Sequence, residues 1–119
     1  RAWYEQTGMP AIAWSSLGRG LFSGRVRSSE PEAASTVMDE FGMLGYAYAA
    51  NFRRLARVEE LAAAKGVTVP QLALAWVLTA PFETFAVVAA GSGARVRDNV
   101  AALDAELTPE ERAWLDLAD

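Results

Sequence analysis

The sequence predicts an α/β protein in which parallel strands alternate with helices. Three observations support this: two short apolar runs bounded by turn residues, two helical segments between those runs, and further helical segments after the second run. A short, almost wholly apolar run is typical of a parallel strand that is buried on both faces. Strands separated by helices indicate βα units rather than hairpins.

The first part of the chain contains one predicted strand and a long connection. Residues 1–8 are typical of the end of a helix, with Gly8 as its C-cap. The apolar run 11–15 is the first predicted strand. The connection, residues 16–50, begins with Ser, Gly and Arg and contains a predicted short helix at 31–41. A connection of this length inside a compact domain is usually functional or disordered.

The second part of the chain is predicted to be mostly helical. Helical periodicity predicts a helix over 51–65 and a second, apolar nearly all round, over 68–80. The run 85–90 is the second predicted strand. Two more helices are predicted over 94–103 and 108–117. The second and the last of these helices begin with a capping-box sequence, Thr followed three residues later by Gln or Glu.

Composition argues against several classes of function. The formal net charge of −4 argues against nucleic acid as a partner, because phosphate backbones need a basic face. The chain has no Cys and no His, so it lacks thiolate ligands and the commonest acid/base group, and no metal-ligand spacing appears. With no membrane span and no signal peptide, we expect a cytoplasmic protein. The chain begins at Arg1 without Met, and we expect its numbering to start inside a longer polypeptide.

Small, donor-rich residues follow both predicted strands. The first run is 14–25 (WSSLGRGLFSGR), and the second is 91–99 (GSGARVRDN), in which a glycine turn opens a helix. Glycine lets backbone N–H groups approach an anion, Arg adds a fork of donors, and a helix N-terminus favours phosphate. Ligands of α/β folds bind beyond the carboxyl ends of strands, so the pair predicts a phosphate site. Either run alone is also ordinary turn chemistry, and neither is a P-loop or a GxGxxG fingerprint.

Three segments of the sequence resemble the aldo-keto reductases, a family of (β/α)8-barrel enzymes that use NADPH. AIAWSSLGRGLFSGR (11–25) resembles the family's seventh-strand pattern, and LARVEELAAAKGVTVPQLALAWVL (55–78) resembles its seventh-helix pattern. VVAAGSGARVRDNVAALDAELTPEERAWLD (87–116) resembles the eighth strand and the helices after it. The resemblance covers essentially the whole chain. It implies a partial (β/α)8 TIM barrel, consisting of the last two βα units and a C-terminal helix.

In the first run, the resemblance implies contacts with the middle and the nicotinamide end of NADP(H). Trp14 matches an aromatic residue that stacks on the nicotinamide ring, although a core Trp on a buried strand is the alternative. Ser15, Leu17 and Gly18 match residues that contact the pyrophosphate. Arg25 matches a basic residue that contacts coenzyme phosphate in some subfamilies.

In the second run, the resemblance implies contacts with the adenosine end. Gly91 belongs to the turn, and Ser92 and Arg95 match positions near the adenosine 2′-phosphate. Asp98 and Asn99 match an acidic residue and an Asn that reach the adenine, with Asp98 shorter than the usual Glu. An Arg near a ribose phosphate favours NADP over NAD. This run is slightly shorter than usual in the family, which leaves the alignment of Ser92 open.

No catalytic residue is assigned in this chain. Hydride transfer to a carbonyl needs a proton donor beside the carbonyl oxygen, and the family's catalytic Tyr, Lys, Asp and His lie in the N-terminal half of the barrel. The only lysine, Lys65, ends a helix, and Tyr4, Tyr46 and Tyr48 match no catalytic position. We therefore expect the coenzyme-binding portion of a reductase, inactive as an isolated chain, whose small-molecule carbonyl substrate binds when the full barrel is assembled.

Two alternatives stay open. The chain could form a non-catalytic nucleotide-binding or homo-oligomerising module through exposed strand edges, since such edges favour assembly. It could also pair with a separate N-terminal chain to rebuild an active enzyme. The sequence does not identify the substrate. If the 26–50 segment lines the substrate pocket, Phe41, Tyr46 and Tyr48 are the candidate aromatic residues, with core packing as the alternative.

Overall fold

A parallel pair of strands and six α-helices make up the fold in the computed structural model, which describes residues 1–118. The strands are β1 (Ala11–Ala13) and β2 (Thr84–Ala86). The helices are α1 (Ala2–Thr7), α2 (Glu40–Tyr46), α3 (Ala49–Lys65), α4 (Val69–Leu78), α5 (Gly93–Ala101) and α6 (Pro109–Leu115). The ends of α3 to α6 lie within two residues of the ends predicted from the sequence.

The two strands pair in parallel, with Ile12 opposite Phe85, and α3 and α4 form the crossover between them. Both strands are shorter than the predicted 11–15 and 85–90. Beyond Ala13 the chain leaves the extended conformation, because Ser15 has a left-handed φ of 54°. The last ladder bond runs from Val87 N to Ala13 O at 2.8 Å, so the residues after Val87 have no partner strand.

The sheet is covered on one face, whereas the apolar runs predicted strands buried on both faces. Ile12 and Phe85 share the uncovered face and are 74% and 54% exposed. The alanines on either side of Ile12 are half-buried. The described residues thus supply only one layer of helices, and a second layer or further strands would be needed to bury the other face.

The long connection contains more structure than the single short helix predicted at 31–41. A 3₁₀ helix spans Pro31–Thr36, and α2 follows as a separate element. Asp39 separates the two because it is extended, with φ −74° and ψ 172°, and its side chain caps α2 by accepting a hydrogen bond from Gly42 N at 2.7 Å. An Asp at the N-cap satisfies one of the free N–H groups of the first turn.

Helix α3 connects the two hydrophobic clusters of the core. Through Leu55 it packs with buried residues of the long connection, Leu21, Val26, Ala34 and Met38. Through Val58 and Ala62 it packs with Leu72 of α4 and Leu115 of α6. Capping boxes fix the starts of α4 and α6, with Thr68 paired with Gln71 and Thr108 with Glu111. Local sequence signals therefore fix where α4 and α6 begin, and α3 holds the helical layer together.

Two classes of feature are absent from the described part of the chain. No single helix there is long and apolar enough to cross a membrane, and α3 with α4 meets that test only as a pair bent by 102°. Within residues 1–118 no three His, Cys, Asp or Glu side chains come together as a metal site.

Candidate functional site

Residues from both donor-rich runs meet in one cleft beyond the carboxyl ends of the strands. This polar cleft has a volume of about 250 Å³. Five of the ten predicted coenzyme residues line it: Leu17, Arg25, Arg95, Asp98 and Asn99. The first two come from the run after β1 and the other three from the run after β2. The structure thus brings together residues that the sequence separates by about seventy positions.

Two guanidinium groups line the polar cleft and are free to bind an anion. Arg25 and Arg95 are exposed, and no carboxylate of the described residues forms an ion pair with either. By contrast, Arg19 and Arg54 form ion pairs elsewhere in the fold. Arginine's planar fork suits a phosphate group, which can accept two parallel hydrogen bonds from it.

The turn before Arg25 lies beside the first turn of α4. Gly24 has a φ of +80°, a conformation that glycine adopts at little cost. A Cβ on Gly24 would lie 3.4 Å from Cδ of Pro70 in the first turn of α4. Ser23 fixes the preceding turn, because its Oγ donates to Gly20 O at 2.6 Å and accepts from Arg25 N at 3.3 Å.

The second wall of the polar cleft is one face of α5. Arg95, Asp98 and Asn99 are three and four residues apart, so they project from the same side of this helix. Ser92 is the N-cap, and its Oγ accepts a hydrogen bond from Arg95 N at 3.3 Å. Gly91 and Ser92 line neither cleft. Their predicted contact with the coenzyme stays a prediction.

The other three predicted residues, Trp14, Ser15 and Gly18, line a second cleft of about 400 Å³. We call it the aromatic cleft, because its walls also include Phe22, Tyr46, Tyr48 and Trp76. The Trp14 side chain is 74% exposed, so the described residues leave most of it uncovered. The first run therefore divides between the clefts at adjacent residues, with Leu17 in one and Gly18 in the other.

Several lining residues were not predicted from the sequence. Ser23, Pro70, Gln71 and Ala89 complete the polar cleft. Pro70 and Gln71 were recognisable as the start of a helix, but nothing in the sequence indicates that this helix end faces the loop after β1. Of the three aromatic residues suggested for a substrate pocket, Tyr46 and Tyr48 line the aromatic cleft. Phe41 is 72% exposed and lines neither cleft.

The chain belongs to the aldo-keto reductase family, since the model of the aldo/keto reductase family matches residues 1–119. It is 31% identical over 117 residues to versiconal hemiacetal acetate reductase of Aspergillus parasiticus, covering 92% of this chain and 32% of that protein. It is 32% identical over 117 residues to a candidate aryl-alcohol dehydrogenase of Schizosaccharomyces pombe, covering 94% of this chain and 31% of that protein. The chain thus spans about a third of the length of these curated relatives.

A solved structure is similar in fold. The crystal structure of a thermostable aldo-keto reductase in complex with the inhibitor epalrestat superposes with a TM-score of 0.64 at 24% identity. The match covers 99% of this chain and 32% of that one. At this identity the similarity establishes the fold, which is an α/β arrangement with a small parallel sheet.

Proposed function

We propose that this chain is the C-terminal, coenzyme-binding portion of an NADP(H)-dependent aldo-keto reductase that reduces carbonyls to alcohols by hydride transfer. The observation that carries the proposal is the polar cleft, where the unpaired guanidinium groups of Arg25 and Arg95 meet Asn99. Membership of the family supports the coenzyme class. In this proposal the chain forms the last two βα units of a (β/α)8 barrel and its C-terminal helix.

The adenosine end of the coenzyme occupies the polar cleft in this proposal. Arg95 binds the 2′-phosphate with charge-assisted hydrogen bonds, and the carboxamide of Asn99 and the carboxylate of Asp98 face the adenine. Arg25, on the opposite wall, adds a second positive charge to the phosphate groups. Two guanidinium groups around one anion favour NADP(H) over NAD(H), because only NADP(H) carries the extra phosphate.

The nicotinamide end reaches the aromatic cleft in this proposal. The exposed indole of Trp14 offers a flat surface on which the nicotinamide ring stacks. Ser15 and Gly18 line the aromatic cleft with Trp14, and Leu17 lines the polar cleft. In this proposal the pyrophosphate lies along these residues and passes from one cleft to the other. When bound, the coenzyme supplies the hydride, and the role of this chain is to hold and orient it.

Catalysis requires residues outside this chain, and we propose that the isolated chain is inactive. The chain has no His, and none of the tyrosines or the single lysine matches a catalytic position of the family. Two strands do not close a barrel, which needs eight. The rest of the barrel would supply the proton donor for the carbonyl oxygen and would cover the exposed face of Ile12 and Phe85.

For the assembled enzyme we propose a small carbonyl substrate, with aryl carbonyls as the first class to test. The relatives named as a hemiacetal acetate reductase and an aryl-alcohol dehydrogenase motivate this choice. Tyr46 and Tyr48 supply aromatic surface for such a ring in the aromatic cleft. We also propose a cytoplasmic protein without nucleic-acid or membrane partners, on its composition alone.

Titration with NADPH, followed by tryptophan fluorescence, tests the coenzyme proposal. We expect saturable quenching with NADPH and weaker binding of NADH. Arg95→Ala should weaken NADPH binding roughly tenfold or more, the effect of losing hydrogen bonds to a charged group. Arg97→Ala is the matched control, since Arg97 is exposed on the same helix and lines neither cleft.

Two results would contradict the coenzyme proposal. One is the absence of quenching at millimolar NADPH. The other is an equal loss of affinity in Arg95→Ala and Arg97→Ala, which would indicate general charge attraction instead of a site.

A second candidate function is assembly into a homo-oligomer. The exposed apolar face of Ile12 and Phe85 and the open edges of both strands favour this alternative. Size-exclusion chromatography with light scattering distinguishes it. A stable dimer or larger species that Ile12→Lys dissociates would support assembly through this face, whereas a clean monomer would exclude it.

A further inference from the structure

We propose that Arg19 is a positioning residue and is not itself a phosphate ligand. Its ion pair with Asp39 at the start of α2, which we call the clasp, holds the run of residues 14–25 that follows β1. The inference rests on the proposed function, because it concerns how the residues that meet the pyrophosphate are held. It goes beyond that function, because Arg19 lies between two glycines after a strand and would ordinarily be assigned to phosphate binding.

The backbone at Arg19 needs outside support. Gly18, Arg19 and Gly20 have φ angles of 58°, 51° and 106°. Two of these residues are glycines, which adopt positive φ at little cost, but an arginine there is unfavourable on its own. Such a conformation persists only where the surrounding structure stabilises it.

The side chain of Arg19 supplies that support. Its Nη2 donates to Asp39 Oδ2 at 2.5 Å, and its Nε donates to Asp39 Oδ1 at 3.3 Å. Hydrogen bonding from Arg19, reinforced by Gly42 N–H, holds the pKa of Asp39 below its ordinary value. Both partners are therefore charged at neutral pH. A two-pronged pair of this kind is more directional than a single-contact surface ion pair.

Asp39 and Gly42 fix the clasp to the fold. The same Oδ1 of Asp39 that accepts from Arg19 also accepts from Gly42 N at 2.7 Å, which caps α2. A Cβ on Gly42 would lie 3.3 Å from both Cβ and the backbone O of Arg19, and 3.0 Å from Asp39 Oδ1. The loop and the first turn of α2 are therefore in direct contact, and position 42 has no room for a side chain.

The clasp lies beside the residues at which the run after β1 passes from one cleft to the other. Arg19 follows Leu17 of the polar cleft and Gly18 of the aromatic cleft, yet its own side chain lines neither. Tight turns transmit its position, because Gly20 N donates to Leu17 O and Leu21 N donates to Gly18 O, both at 3.2 Å. Loosening the clasp should therefore affect a ligand that spans both clefts more than one confined to the polar cleft.

A pair of glycine variants in α2 provides the test. Gly42→Ala inserts a methyl group into the clasp, whereas Gly45→Ala, three residues on in the same helix, meets nothing within 4 Å. Binding of NADPH and of adenosine 2′-monophosphate is measured by calorimetry. Gly42→Ala should weaken NADPH about fivefold, the scale of a lost directional ion pair, and should change adenosine 2′-monophosphate less than about twofold. Gly45→Ala should change neither.

Charge variants test the role of Arg19 itself. Arg19→Gln and Asp39→Asn should each weaken NADPH binding about threefold, and Arg19→Lys should recover part of the loss. Arg27→Gln is the control, since Arg27 is exposed on the same connection and lines neither cleft. Tighter NADPH binding in Asp39→Asn would overturn the proposal, because it would mean that the freed guanidinium binds the phosphate.

Hydrogen exchange separates failure of the clasp from failure of the coenzyme proposal. In the ligand-free chain, Gly42→Ala should speed amide exchange of residues 18–23 relative to Gly45→Ala. Unchanged exchange would overturn the proposed role of the Arg19–Asp39 pair, whether or not either ligand binds. Faster exchange in a chain that binds neither ligand would support the clasp and contradict the coenzyme function. Equal weakening of both ligands by Gly42→Ala would also overturn the proposal, since it would indicate general destabilisation.

Discussion

The two loops that form the polar cleft differ in how firmly they are held. The loop after β1 is packed around Leu21, which is fully buried, and its turns are closed by backbone bonds such as Gly18 N to Ser15 O at 2.8 Å. In the segment after β2, residues 88–91 form no hydrogen bond with any other described residue. Residues 87–98 are all exposed.

The half of the polar cleft that carries Arg25 is therefore more rigid before any ligand binds than the half that carries Arg95. The first loop presents Arg25 from a fixed backbone, so a ligand there loses little free energy to ordering. The helix that carries Arg95 has no buried residue and depends on its Ser92 cap and a few neighbours. Binding through Arg95, as proposed above, must therefore fix a segment that few contacts hold in place, which lowers the affinity.

The largest expected effect comes from disturbing the firmly held loop. Gly24→Ala adds strain at φ +80° and brings a methyl group against Pro70. It should lower the free energy of unfolding by about 1–2 kcal/mol, since a left-handed conformation is unfavourable for alanine. Urea denaturation measures the change.

Gly8→Ala is the control for backbone strain alone, because Gly8 has a φ of +67° with nothing within 4 Å. A larger loss in Gly24→Ala than in Gly8→Ala would mean that the added methyl group is crowded by Pro70. Equal losses would mean that Pro70 leaves room for the methyl group and that only backbone strain acts at position 24.

Removing the cap of α5 is the next largest change. Ser92→Ala leaves Arg95 N without its acceptor and should lower stability by about 1 kcal/mol, the typical value for an N-cap. Ser92→Asp retains a capping oxygen and should keep the stability. Thermal unfolding of both variants measures the effect. If Ser92→Ala has wild-type stability, the second segment already frays and the cap contributes nothing.

Restricting the backbone of the segment after β2 should raise the stability instead of lowering it. Gly91 lies in open space without a positive φ, so Gly91→Ala restricts the unfolded chain without adding strain. We expect a gain of about 0.4–1 kcal/mol in the free energy of unfolding. The comparison with Gly24→Ala is made in the same denaturant series. A loss of stability at Gly91 would contradict the described difference between the two loops.

The smallest expected effect concerns pH and lies away from both loops. A hydrogen bond from Lys65, whose Nζ lies 2.9 Å from Glu111 Oε1, and the N–H of Thr108 hold the pKa of Glu111 below its ordinary value of 4.5. A depressed carboxylate pKa contributes stability above the unfolded pKa, and the contribution is lost as the pH falls through the folded pKa.

Wild-type protein should therefore lose a few tenths of a kcal/mol more than Glu111→Gln as the pH drops below about 4.5, in keeping with a partly exposed surface pair. Urea unfolding at pH 6 and pH 3.5 measures the difference. An identical acid response of the two proteins would show that the pair with Lys65 contributes nothing.

The sequence predicts the parts of this fold that depend on local chemistry. Capping boxes at Thr68 and Thr108 mark helix starts, because these signals act within a few residues. The strand ends are less well predicted, since β2 ends at Ala86, five residues before the glycine turn. The meeting of Arg25 with Arg95 follows from parallel strands, whose carboxyl ends lie at one edge of the sheet.

The rest depends on contacts between distant segments. That Asp39 would also pair with Arg19, twenty residues away, is not encoded in any local pattern. The division of Leu17 and Gly18 between two clefts depends on where Pro70 and Tyr46 come to lie. The uncovered face of Ile12 was missed because an apolar run predicts burial without saying which element covers it.

Arg25 and Arg95 together bind a ribose 2′-phosphate in the polar cleft under the proposed function. The most direct test follows the arginine Nε–Hε signals by NMR while adenosine 2′-monophosphate is added, with adenosine 5′-monophosphate as the control. We expect the signals of Arg25 and Arg95 to shift with the 2′-isomer and much less with the 5′-isomer, while Arg19 and Arg97 remain unchanged. Equal shifts with both isomers, or shifts confined to Arg19, would contradict 2′-phosphate binding by Arg25 and Arg95.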